Sequence, residues 1–194
     1  MPDFQGFRDE VVAAGRGVAA LIVGDRRASQ YFDFSQKGLV GSFIGFLAIT
    51  LVSALVPLVI PGGREDYSIA RSTMIAAVLF ASQVGFAAIA LRQMHRLDGL
   101  RPYLVADNWA SVYISTGQLI LSIVGFQGDI AFFALSILVI VVEINIARLI
   151  VTLSPLQIAM FMIAQLVGVS IALIVVGIVF PSPETAAAIN SLRT

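Results

Sequence analysis

Residues 130–180 read IAFFALSILVIVVEINIARLIVTLSPLQIAMFMIAQLVGVSIALIVVGIVF, and Ser154-Pro155 divides this stretch into two apolar runs. Its only charged residues are Glu143 and Arg148. A helix needs about 20 consecutive apolar residues to cross the hydrocarbon core of a bilayer, and both runs reach that length. The stretch therefore predicts two membrane-spanning helices joined by a tight turn.

Three earlier stretches have the same character. The five predicted spans are Leu39–Ile60, Ser68–Leu91, Tyr103–Val124, Ile130–Leu153 and Leu156–Phe180. Glycine and proline mark the short joins between them, so successive helices must be antiparallel. Apolar and polar residues do not alternate with a period of two, which argues against a membrane β-barrel. We therefore expect an all-α, polytopic membrane protein with five transmembrane helices.

The composition of the 194-residue chain supports this class. Hydrophobic residues make up 58% and charged residues 12%, the mean hydropathy is +0.94, and the formal net charge is zero. Without a basic field, nucleic acid is not an expected partner. The chain has no cysteine and a single histidine, His95. Because no ligand set, phosphate-binding loop or catalytic constellation is recognisable, we expect no metal, no cofactor and no enzymatic activity.

The first 38 residues carry no cleavable signal and are predicted to be a cytosolic segment, followed by a transmembrane domain at 39–180 and a short external tail at 181–194. An apolar stripe at helical spacing predicts an amphipathic, interfacial helix in this segment. The stripe consists of Phe4, Phe7, Val11, Gly15, Val18 and Ile22. Such a helix either lies at the lipid headgroups or offers a docking surface to a partner.

The distribution of positive charge indicates how the chain is oriented in the membrane. Nine of the twelve lysine and arginine residues fall on the side of the N-terminus, which predicts a cytoplasmic N-terminus and an external C-terminus in the inner membrane. The candidate face for headgroups or an acidic partner consists of Arg26, Arg27, Lys37, Arg92, Arg96 and Arg101. Selection for topology alone is the alternative explanation of this face.

Polar residues within the spans are the best sequence indicators of a site. Measuring depth from the turns places one candidate polar layer near the bilayer centre, formed by Gln83, Ser111, Glu143 and Gln165. Desolvation predicts a protonated Glu143 that donates to Gln165 or to another neighbour. The layer either fixes helix packing or relays protons, and the apparent lack of a second acid at this depth favours packing.

Two other features bear on helix packing. Asp107 and Arg148 fall at one shallower depth and are predicted to form an ion pair that clamps the third span to the fourth, with a substrate-binding or proton-relay pair as the alternative. Trp109 lies at the same level and is predicted to be an interface anchor. Gly41 and Gly45 form a G-x-x-x-G pair, which lets two helix backbones approach closely. This pair serves either packing within the bundle or homodimerisation.

Two short stretches carry a resemblance: QYFDFS at 30–35 and RPYLVADNWA at 101–110. They resemble small uncharacterised bacterial inner-membrane proteins, and the layout is similar to that of Yip-type membrane proteins. The resemblance implies a cytoplasmic N-terminus, five spans and a non-catalytic role in membrane organisation or trafficking.

The sequence thus favours a non-enzymatic structural, scaffolding or partner-binding protein of a bacterial inner membrane. Its expected partners are membrane lipids and another membrane protein or a second copy of the chain. The alternative is a small proton-coupled or passive transporter that uses the polar layer around Glu143.

Overall fold

The computed structural model describes residues 4–59, 69–126 and 128–180. Within these ranges the regular elements are all helical, which confirms the all-α part of the prediction. The long helices are α1 (Phe4–Val23), α2 (Gln36–Val59), α3 (Ile69–Gln93), α4 (Leu100–Ile123), α5 (Asp129–Asn145) and α6 (Pro155–Val179). Short 3₁₀ turns lie at Ala28–Tyr31 and Leu97–Gly99, and a π-helical turn at Ile146–Ile150 extends α5.

Four helical segments have the length and apolar composition needed to cross a membrane. These segments are Gln36–Val56, Ile69–Gln93, Asp129–Ile150 and Pro155–Val179. They correspond to four of the five predicted spans. The remaining prediction falls on α4, which is long enough at 24 residues but more polar. Two of its polar residues, Asp107 and Asn108, are buried against the other helices.

Direct contacts fix the directions of the helices. Ser82 Oγ of α3 donates to the carbonyl of Gly168 in α6 at 2.8 Å, and Arg71 donates to the carbonyl of Phe180 at 2.8 Å. The start of α3 therefore lies beside the end of α6, and the two helices are antiparallel. The α2 and α4 helices instead run in the same direction, because their early residues Ser42 and Asn108 are hydrogen-bonded at 3.1 Å.

Gly41 and Gly45 both pack against other helices of the same chain. A Cβ atom on Gly41 would lie 2.7 Å from both carboxylate oxygens of Glu10 in α1. One on Gly45 would lie 3.1 Å from the indole ring of Trp109 in α4. Packing within the bundle therefore accounts for the G-x-x-x-G pair without a second copy of the chain.

Helix α1 packs on α4 and α5 through much of its apolar stripe. Val18 and Leu21 are buried, and Tyr113 Oη donates to the carbonyl of Val11. Asn145 Nδ2 donates to the carbonyl of Leu21 at 2.8 Å. Helices of the same chain thus cover much of the stripe, an arrangement that neither sequence-based alternative included, whereas Ile22 at its end is exposed. Phe4 is the one stripe residue whose side chain lies outside the described part.

Candidate functional site

Five polar side chains from four helices meet inside the bundle, and we call them the central polar cluster: Gln83 of α3, Tyr103 and Asp107 of α4, Glu143 of α5, and Gln165 of α6. Tyr103 and Asp107 are four residues apart, which places them on the same face of α4. Asp107 follows the first residue of α4 by seven residues, or about 10 Å of helical rise. The cluster therefore lies in the half of the bundle that contains the start of α4.

Tyr103 is the centre of the hydrogen-bond network. Its hydroxyl accepts from Gln165 Nε2 at 2.7 Å and from Gln83 Nε2 at 3.3 Å. The phenol also interacts with the carboxyl group of Glu143, to which its own hydrogen can be donated. The side chain is fully buried, and its ring packs edge-on against Phe161 with centroids 5.1 Å apart. The network holds its members in fixed relative positions.

Two carboxyl groups of the cluster contact each other. The carboxyl groups of Asp107 and Glu143 lie within interaction range of each other, and Gln83 Nε2 donates to Asp107 Oδ2 at 3.0 Å. Because an ionised carboxylate can only accept, a hydrogen bond between two carboxyl groups requires one proton between them. Asp107 is only 5% exposed, so water cannot easily replace this contact. The pair is therefore a proton-holding arrangement.

The cluster also contains unused acceptors. Glu143 Oε2 and Gln165 Oε1 are buried and have no hydrogen-bond partner among the described residues. A buried acceptor without a donor costs free energy, because it has lost its water. Both atoms can accept a hydrogen bond from a water molecule or from a protonated group. The cluster is thus not saturated by its own side chains.

The structure brings together three of the four residues in the predicted layer. Gln83, Glu143 and Gln165 belong to the central polar cluster, whereas no hydrogen bond joins Ser111 to it among the described residues. Tyr103 was not among the residues predicted from the sequence, and Asp107 was assigned to an ion pair with Arg148 rather than to this layer. The signal that could have found them is the four-residue spacing of two polar groups on one face of α4.

The expected ion pair between Asp107 and Arg148 is not formed. Asp107 is buried beside Glu143, whereas Arg148 is exposed. Arg148 follows Glu143 by five residues, which rotates it about 140° around a helix, so the two side chains cannot share a face. Within the described ranges the ion pairs join Arg27 to Asp25 at 3.0 Å and Arg96 to Asp98 at 3.7 Å.

Trp109 is not an interface anchor. It is buried, its ring centroid lies 6.2 Å from that of Phe7, and its indole nitrogen has no hydrogen-bond partner of normal geometry in the described part. The nearby carboxyl group of Glu10 sits directly on Gly41. Burial raises the pKa of Glu10, and the negative charge of Asp33 raises it further. This contact joins α1 to α2 and α4.

The predicted basic face divides into two groups. Arg96 is engaged in the fold, since it donates to the carbonyl groups of Val151 and Thr152 at 2.5 and 3.0 Å and so ties the α3–α4 turn to the α5–α6 turn. The other five members are exposed at the same end of the bundle: Arg26, Arg27, Lys37, Arg92 and Arg101. Arg27 is paired with Asp25.

No protein-family model, curated protein or solved structure matches the chain. The Yip-type resemblance therefore remains a prediction.

Proposed function

We propose that this chain is a proton-coupled membrane transporter whose Asp107–Glu143 pair binds and releases a proton. The observation that carries the proposal is the close approach of these two carboxyl groups inside an apolar bundle, where Asp107 is buried. The sequence favoured a packing role because no second acid was expected beside Glu143. Asp107 occupies that place, so this reason no longer holds.

A packing role alone would not need two acids. Amide or hydroxyl groups can join helices without any charge, and such contacts contribute about 0.6 to 2 kcal/mol in membrane proteins. A carboxyl pair brings the larger cost of a buried negative charge whenever its proton is lost. Acidic groups inside membrane helices accordingly tend to mark proton or ion pathways.

Loss of the shared proton would change the packing of α5. Two negative charges in contact repel each other, and Tyr103 and Gln83 supply the donors that would remain for them. The π-helical turn Ile146–Ile150 begins three residues after Glu143. Such turns are frequent at functional sites and give a helix a place to rearrange. Protonation and helix position would thus be coupled.

We further propose that α4 is the fifth span, with a cytoplasmic N-terminus in the inner membrane. Its 24 residues correspond to about 36 Å of helix, enough to cross a bilayer core. Asp107 and Asn108 of this helix are buried in the bundle, as intramembrane polar groups generally are. A reporter fused after Thr194 should be active only outside the cytoplasm. Activity in the cytoplasm would contradict the five-span arrangement.

A second candidate function is a non-enzymatic structural or partner-binding role. Exposed basic residues at one end of the bundle, such as Arg26 and Lys37, favour it because they can meet an acidic partner or headgroups. The partner would be another membrane protein or a second copy of the chain. This role does not require the carboxyl pair to exchange its proton.

Proton flux and carboxyl protonation separate the two functions. The purified protein is reconstituted in vesicles that contain a pH-sensitive dye, and a membrane potential drives proton entry. We expect flux with the parent, loss of flux with Asp107→Asn and with Glu143→Gln, and normal flux with Asp129→Asn. The last variant is a matched control because Asp129 is an exposed acid on the same helix as Glu143.

Infrared spectroscopy provides the second measurement. The parent should give a protonated-carboxyl band that is absent from Glu143→Gln and present in Asp129→Asn. If the parent gives neither the band nor flux above that of empty vesicles, the transporter proposal is wrong and the structural role remains.

A further inference from the structure

Two adjoining hollows form a groove that runs along α2 and α4 from the inner end of the bundle. The first hollow, of about 490 Å³, is lined by residues that include Phe34, Leu97, Asp98, Arg101 and Pro102. The second hollow, of about 340 Å³, is lined by residues that include Val40, Phe43, Ile44, Phe80, Val84 and Asn108. Leu39 and Leu104 line both hollows, so the groove is continuous.

The two ends of the groove differ in chemistry. The mouth holds the guanidinium group of Arg101, which is exposed and forms no ion pair within the described ranges. The acid at the mouth, Asp98, lies 3.7 Å from Arg96, which compensates its charge. The second hollow is apolar except for Asn108. A matching ligand therefore has an anionic end and an apolar tail.

The position of the groove limits the ligand further. From Arg101 to Asn108 the groove follows seven residues of α4, or about 10 Å of helical rise from the inner end. Arginine at this level can reach headgroup phosphates, and phosphate is a preferred partner of the guanidinium group. The apolar tail would then lie at the depth of the acyl chains, beside the aromatic rings of Phe43 and Phe80.

We propose that this groove binds one anionic phospholipid, with its phosphate at Arg101 and an acyl chain in the second hollow. The bound lipid would cover the seam between α2, α3 and α4, where the rings of Phe46 and Phe80 stack with centroids 4.7 Å apart. The proposal is independent of proton exchange at the central polar cluster, because it uses none of the residues in that cluster.

Native mass spectrometry of the detergent-purified protein tests the headgroup contact. The protein is titrated with phosphatidylglycerol or with phosphatidylcholine. We expect the parent to bind the anionic lipid about tenfold more tightly, which corresponds to about 1.4 kcal/mol. Arg101→Gln should lose this preference. Arg92→Gln should keep it, because Arg92 is exposed at the same end of the bundle but does not line the groove.

A second variant tests the acyl-chain site. Val40→Trp fills the second hollow from a position that is 52% exposed, so the fold should tolerate it, and it should weaken the binding of both lipids. Millimolar inorganic phosphate should not displace phosphatidylglycerol, since the tail supplies part of the affinity. Equal binding of the two lipids by the parent, an unchanged preference in Arg101→Gln, or displacement by phosphate would each overturn the proposal.

Discussion

Tyr103 and Gln165 join α4 to α6 through a hydrogen bond of 2.7 Å, donated by the amide nitrogen to the phenol oxygen. The same oxygen accepts from Gln83 of α3, so one hydroxyl group holds three helices together. Tyr103 is fully buried, and water cannot take its place without a change in packing. Removing the hydroxyl oxygen of Tyr103 would therefore break the hydrogen bonds to both Gln83 and Gln165 in a single substitution.

Tyr103→Phe removes that oxygen and keeps the ring on Phe161. Two half-buried amide groups then lose an acceptor, and we expect a loss of about 1–3 kcal/mol in the free energy of unfolding. Thermal unfolding in detergent measures this loss of stability. Tyr31→Phe is the control, since the Tyr31 hydroxyl makes no hydrogen bond within the described residues. Equal effects of the two changes would show that the hydroxyl of Tyr103 does not stabilise the bundle.

The contact between Asp107 and Glu143 predicts that their substitutions are not additive. In a double-mutant cycle of Asp107→Asn and Glu143→Gln, we expect a coupling energy of about 0.5–3 kcal/mol, as for other residues in direct contact. Unfolding of both single variants and the double variant gives this energy. The cycle of Asp107→Asn with Arg148→Gln should give none, because Arg148 is exposed. Coupling in the second cycle alone would restore the ion pair expected from the sequence.

Gly168 allows α6 to approach α3 closely. A Cβ atom at this position would lie 2.6 Å from the ring of Phe86 and 3.0 Å from its Cβ. We therefore expect Gly168→Ala to reduce stability by about 1–3 kcal/mol, the usual cost of an overpacked contact. Gly85→Ala is the matched control, because nothing lies within 4 Å of the added atom. Its effect should be neutral or stabilising, since alanine favours helix.

Much of the fold follows from the sequence because the apolar runs and their breaks are strong signals. The runs at 130–153 and 156–180 correspond closely to the long helices α5, with its π-helical turn, and α6. The sequence predicted the centre of the central polar cluster, Tyr103 and Asp107, less well. Measuring depth from the turns assumes that the helices are straight and parallel, and this assumption placed Asp107 at a shallower level than Gln83. The long side chain of Gln83 spans that difference and donates to Asp107.

The position of α1 could not be inferred from its stripe. An amphipathic pattern identifies the apolar face of a helix, but the pattern is the same whether lipid or protein covers that face. Contacts such as Asn145 with the carbonyl of Leu21 depend on the order of helices in space, which one sequence does not specify. The same limit applies to the burial of Trp109 behind Phe7.

We expect the half-buried carboxyl group of Glu10 to make the docking of α1 depend on pH. Desolvation raises its pKa in the folded state, Asp33 adds to the effect, and Trp109 and Lys37 partly oppose it. The folded state therefore binds this proton more tightly than the unfolded state does. It follows that this contribution to stability is fully present at low pH and is lost as the pH rises from about 4.3 through the raised pKa.

Glu10→Gln should remove this dependence, because the amide occupies the same space on Gly41 and does not ionise. We expect the stability of the parent to fall between acidic and neutral pH relative to that of the variant, with the variant the more stable at neutral pH. Thermal unfolding measured across this range compares them. Asp9→Asn is the control, since its carboxyl group is exposed on the same helix. Parallel pH profiles of the parent and Glu10→Gln would contradict the prediction, because they would mean that α1 docks without desolvating the carboxyl group.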